Sequence, residues 1–160
     1  LNIMTSLLGS KGVVVDTDSL IGLIHEDDAL HGRCLKVTDY LAAHGVATIV
    51  PYPIVLEAAT TLAKDKQIRR PDLASELLRD DTELEHAPED TEEIAKLVAS
   101  LYNPRTSKKN SPFDHYVAAL AKNLCIKIIF SFDHFYTRLG FTLAEELLSH
   151  PKHHPHEVGN

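Results

Sequence analysis

Four acidic residues stand out from the charged surface of this 160-residue chain: Asp16, Glu57, Asp114 and Asp133. Asp16 ends the apolar run Gly12-Val13-Val14-Val15, and Asp133 follows Ile128-Ile129-Phe130-Ser131-Phe132. Glu57 lies among Ile54, Val55, Leu56, Ala58 and Ala59, where a carboxylate is expensive to bury unless it is paired or metal-bound. The chemistry open to such a set is the binding of a hard cation, which takes oxygen ligands. Converging carboxylates without a cation repel and raise one another's pKa values. Two bound ions about 3.5–4 Å apart can activate a water and stabilise the leaving oxygen in phosphodiester cleavage. Each acid taken singly has a plainer explanation. Asp16 and Asp133 can be turn acids, and Asp18 can cap a helix starting at Ser19. Glu57 can face solvent. Asp114 completes a capping box, Ser111-Pro112-Phe113-Asp114, which would account for it entirely.

The elements that must position these residues alternate in type. Val13–Val15 is β-branched and continuous, which suits a strand of a parallel sheet buried on both faces. Leu20, Leu23 and Ile24 make a helical stripe after it. Leu30, Cys34, Val37 and Leu41 make another, which Gly45 terminates. Residues 46–50 read as a second strand, and Pro53 can start a helix carrying Val55, Ala58, Ala59 and Leu62 on its apolar face. A short helix is expected near Pro71, a short strand at Leu84-Glu85-His86, and amphipathic helices over 88–102 and from Pro112 to about Asn123. The strand 126–131 and a short one at 141–143 complete the series, with a helical turn or two after them. Alternation of this kind implies a mainly parallel sheet with helices on both faces. Ligands of such sheets bind outside the carboxyl ends of the strands, which places Asp16 and Asp133 on one rim.

Bulk properties agree with one soluble domain. The chain is 44% apolar and 24% charged and has no run long enough to span a membrane. Its start, Leu1-Asn2-Ile3-Met4, lacks the basic run of a secretory signal. A formal charge of −7 argues against a protein that coats nucleic acid by bulk attraction, but not against an enzyme whose acids hold cations. Cys34 and Cys125 have no second ligand at metal-binding spacing and are expected to be buried, reduced thiols in a cytoplasmic setting.

Four stretches resemble, in order, the acidic motifs of PIN-domain proteins, including VapC-type toxins. They are Val13-Val14-Val15-Asp16-Thr17-Asp18-Ser19-Leu20-Ile21 with Asp28-Ala29-Leu30-His31; Pro51 to Ala59 around Glu57; Phe113-Asp114-His115-Tyr116-Val117-Ala118-Ala119-Leu120-Ala121; and Ile128-Ile129-Phe130-Ser131-Phe132-Asp133-His134-Phe135. Any one of these is weak, whereas four in order over residues 12 to about 143 are fairly specific. The resemblance implies a three-layer α/β/α domain over 12–149 with four to five strands, flanked by a flexible segment (1–11) and a His/Pro-rich tail (150–160). It also implies a metal-dependent endoribonuclease using Mg²⁺ or Mn²⁺, often a homodimer and often held by an antitoxin. By position, Asp16, Glu57, Asp114 and Asp133 inherit the metal-binding and catalytic role. Thr17, Asp18 and Ser131 are expected to stand behind them and orient the carboxylates. Asp18 occupies a position where the family often has Asn, and Phe132 one where many members are polar.

Other features have plainer readings. Arg105, Lys108 and Lys109 lead into the Asp114 helix and could meet RNA phosphates, or form a solvated loop. Lys64, Lys66, Arg69 and Arg70 are taken as solvated. His31 suits capping or packing. His150, His153, His154 and His156 could bind a transition metal, although a disordered tail is the simpler account. Helix 89–102 is expected to pack on the core. Two competing functions stay open: a haloacid-dehalogenase-type phosphatase with Asp16 as nucleophile and Asp18 as acid/base, and a non-catalytic PIN-like binding module. The phosphatase would need a later acidic pair, and Asp80-Asp81 has no strand before it.

Overall fold

A computed structural model describes residues 12–79, 91–102 and 110–149. Val13–Val15 forms β1, and each of its side chains is at most 1% exposed. Three consecutive β-branched residues leave no polar face, so the strand is stable only with cover on both sides. It pairs in parallel with β2 (Thr48–Ile49) on one edge and β3 (Ile128–Phe130) on the other, with Val14 opposite both Ile49 and Ile129. The last strand, β4 (Thr142–Leu143), pairs in parallel with β3, giving the order β2-β1-β3-β4.

β2 and β3 are shorter than the apolar runs that announce them, for a specific reason. The N–H groups of Val46 and Ile126 donate to Leu41 and Ala121 carbonyls at 3.0 and 2.8 Å. They close the preceding helices rather than extend the strands. Both closures place a residue of positive φ just past the helix, Gly45 at 62° and Cys125 at 57°. A side chain at that position points to solvent. Cys125 is therefore exposed, contrary to the expectation of a buried thiol, whereas Cys34 is buried as expected.

The helices are α1 (Thr17–Ile24), α2 (His31–Ala43), α3 (Tyr52–Lys64), α4 (Pro71–Arg79), α5 (Glu92–Leu101), α6 (Pro112–Asn123) and the single turn α7 (Phe135–Arg138), followed by a 3₁₀ turn over Ala144–Ser149. The strand expected at residues 84–86 lies outside the described residues. Helix α5 is capped by Thr91, whose hydroxyl accepts from the Ile94 N–H, and Ile94 is its buried anchor. Among the described residues, no helix is long and apolar enough to cross a membrane.

Helices α1 and α2 meet at Gly22. His31 on α2 reaches back and donates from Nδ1 to the Gly22 carbonyl at 2.7 Å, which gives it the packing role its position implied. A Cβ on Gly22 would stand 2.6 Å from the Cys34 sulfur and 3.3 Å from Leu30 Cβ. Valine there overfills a packed interface at about 1–3 kcal/mol. Gly22→Val is therefore expected to lower the Tm by several degrees in thermal unfolding, and Cys34→Ala in the same chain should recover part of the loss.

Candidate active site

The β1 exit supplies the first acid. Asp16 is the N-cap of α1: its Oδ1 accepts the Thr17 N–H at 2.7 Å, so the helix starts two residues earlier than a cap at Asp18 would place it. Its Oδ2 accepts the Tyr136 hydroxyl at 2.8 Å. Asp16 is 4% exposed and Tyr136 fully buried. Burial, then the neighbouring Asp18 charge, push the Asp16 carboxyl up to about 8, opposed by the Tyr136 hydrogen bond.

Asp18 does not cap a helix. It fastens the β1 exit to the β3 exit. Its Oδ2 accepts from Ser131 Oγ at 3.0 Å and from the Phe132 N–H at 2.8 Å, and its Oδ1 from the Ser19 N–H at 2.7 Å. Ser131 Oγ in turn accepts the Asp133 N–H at 3.1 Å. The Ser131 hydroxyl thus acts on Asp18 and on the Asp133 backbone rather than on one of the four acids' side chains. Burial raises the Asp18 pKa, and the Phe132 N–H is the largest opposing influence.

Glu57 sits on the half-buried flank of α3. Thr17 Oγ1 donates to its Oε2, and Ser111 Oγ lies at 3.5 Å from its Oε1. Asp114 closes the capping box that the sequence spells: Ser111 Oγ accepts the N–H groups of Phe113 and Asp114, and the Asp114 carboxylate accepts the Ser111 N–H. Burial raises both acids, Thr17 opposing it for Glu57 and the Ser111 N–H for Asp114; the Asp114 charge raises Glu57 further and the Asp133 charge raises Asp114. Asp133 is exposed at the β3 exit, with Oδ1 accepting the Phe135 N–H at 2.7 Å and Asn110 Nδ2 at 3.4 Å from Oδ2.

All five acids line one cleft of about 360 Å³, together with Thr17, Ile21, Thr61 and Ser111. The four acids expected from the sequence are brought together. Among the described residues, no group of three or more His, Cys, Asp or Glu side chains is already arranged to hold a metal ion. Glu57, Asp114 and Asp133 each accept a hydrogen bond from a protein donor. The donor set itself fits a hard divalent cation, since it is all oxygen and the Asp114 charge raises the pKa values of Asp16 and Glu57. Arg105, Lys108 and Lys109 lie outside the described residues.

Three contributors were not visible in the sequence. Tyr136 supplies the hydroxyl on Asp16; the aromatic expected after the fourth acid was Phe135, one residue earlier. His115 is buried and donates from Nδ1 to the Ser111 carbonyl at 2.8 Å, bracing the turn that carries Asp114, and its ring lies 5.0 Å from both Tyr102 and Phe135. Arg33 lies 4.3 Å above the Phe132 ring while its Nε donates to Glu145 at 2.7 Å. This pins the β3 exit to α2 and the 3₁₀ turn, a job that an aromatic Phe132 permits and a small polar residue would not.

A short parallel sheet whose strand exits and two flanking helices gather acids around one cleft defines the class, and the chain belongs to the PIN domain family, matching it over residues 13–141. Among solved structures it is similar to VapC20 of Mycobacterium tuberculosis, a sarcin-ricin loop cleaving toxin, at 18% identity and a TM-score of 0.65, over 82% of this chain and 97% of that one. No curated protein sequence matches it at a significant level.

Proposed function

We propose that the chain is a Mg²⁺- or Mn²⁺-dependent endoribonuclease that hydrolyses RNA phosphodiester bonds, acting in the cytoplasm as the toxin of a toxin–antitoxin pair. The observation that carries the reading is the convergence of Asp16, Glu57, Asp114 and Asp133 on one cleft at the strand exits. The similarity to an RNA-cleaving toxin points the same way. A homodimer and an antitoxin partner belong to the same reading.

Asp16, Glu57, Asp114 and Asp133 would hold the cation. When bound, it would supply Lewis acidity toward the attacking water and the leaving oxygen. The chain's own part is to aim the acids. Tyr136 and the Thr17 N–H fix Asp16, and Thr17 Oγ1 fixes Glu57. The Asp18–Ser131 bridge sets the distance between the two strand exits. None of these steps needs a covalent enzyme intermediate. The phosphatase reading fares worse, because Asp18 already accepts three donors and is not free to serve as an acid/base toward a substrate on Asp16.

The test is cleavage of a mixed RNA panel with Mg²⁺ or Mn²⁺ by wild type, by wild type in EDTA and by Asp114→Asn. Loss of cleavage in both controls is the expected result. Cleavage that persists in Asp114→Asn would remove this cleft from the chemistry, and Mn²⁺ binding without any cleavage by wild type would favour the binding module.

A further inference from the structure

We infer that Tyr136 is a positioning residue that holds Asp16 in the orientation a cation requires, which rests on the metal-binding reading of the cleft. Asp16 has two oxygens and two protein donors, one on each: the Thr17 N–H on Oδ1 and the Tyr136 hydroxyl on Oδ2. The first is a backbone group at the start of α1 and holds one oxygen. The second comes from a different element, α7, and sets the rotation of the carboxylate plane. Among the described residues each oxygen has one such donor and capacity for a second partner, and Asp16 lines the cleft.

Three features make Tyr136 a rigid partner. The side chain is fully buried, so the hydroxyl has no water to exchange with. Its ring lies 5.1 Å from Phe135, which in turn lies 5.0 Å from His115. His115 is tied by Nδ1 to the Ser111 carbonyl, at the turn that carries Asp114. A line of packed rings therefore joins the mounting of Asp16 to the mounting of Asp114. Partners of this kind behind metal ligands fix ligand orientation, and losing one costs about 10–100-fold in metal affinity or activity.

Tyr136→Phe removes the hydroxyl and keeps the ring. Mn²⁺ alone is the probe, titrated against the full chain and read from the loss of its free-ion electron paramagnetic resonance signal, below the Tm of every variant. The expected result is a Kd about 10-fold higher in Tyr136→Phe than in wild type, with Asp16→Asn losing the site. A Tyr136→Phe Kd equal to wild type, while Asp16→Asn loses binding, overturns the role of Tyr136 and leaves the metal reading standing. So does a lowered Tm with an unchanged Kd. Failure of wild type itself to bind Mn²⁺, or undiminished binding by Asp16→Asn, overturns both.

Discussion

Asp16→Asn is expected to unfold at a higher temperature than wild type at pH 8 in EDTA, and to cleave RNA at least about 100-fold more slowly in Mn²⁺, the upper end of what disturbing a ligand's partner costs. The two effects have one cause. Asp16 is 4% exposed, and burial and the Asp18 charge push its carboxyl up to about 8, so at pH 8 the metal-free chain on folding must either bury the charge or take up a proton, and both are unfavourable. An amide of the same shape removes that charge. Relief should raise the Tm by roughly 2–4 °C for each kcal/mol in a domain of this size. The amide also removes the ligand, and activity goes with it. A Tm lower than wild type, or cleavage within a few-fold of it, would break the link between burial and function.

Stability without metal should fall as pH rises from about 4 to about 8. The Asp16 carboxyl has a folded pKa of about 8 against 3.8 for an ordinary aspartate. Between those values the folded chain keeps a proton that the unfolded chain has released, so raising the pH favours unfolding. Asp18, Glu57 and Asp114 are shifted in the same direction and add to the slope. A divalent cation competes for the same oxygens as the protons. Its stabilising effect, about 2.7 kcal/mol at a hundredfold excess over Kd, should be small at pH 5 and large at pH 8. Thermal unfolding at the two pH values, with and without Mg²⁺ or Mn²⁺, checks this directly. A Tm gain that is equal at both, or larger at pH 5, contradicts it.

The elements around the cleft were legible where local chemistry determines them. Ser111-Pro112 and Asp114 spell a capping box, and α6 starts where they place it. Val13–Val15 has no polar face to offer solvent, and it is one of the two inner strands. Asp16 and Asp133 follow strands of a parallel sheet and so share a rim. Residues whose roles depend on distant partners were not legible. Tyr136 reads as one more aromatic until the fold sets its hydroxyl against Asp16, 120 positions away. Asp18 looks like a cap because a single sequence does not show that Ser131 and Phe132 will stand beside it. Cys125 reads as core because apolar spacing does not reveal that the backbone turns left-handed there.

The pairing of β1 with β3 also orders events during synthesis. β1 can find β2 once residues 48–49 have emerged, but its other edge waits for 128–130. Chains are made from the N-terminus, and pairings between distant segments close slowly. A growing chain that has reached α6 already carries Asp16, Glu57 and Asp114. It lacks Tyr136 to fix Asp16, Ser131 to fasten Asp18 and Asp133 itself. The cleft is thus completed only by residues 131–136, more than a hundred positions after Asp16.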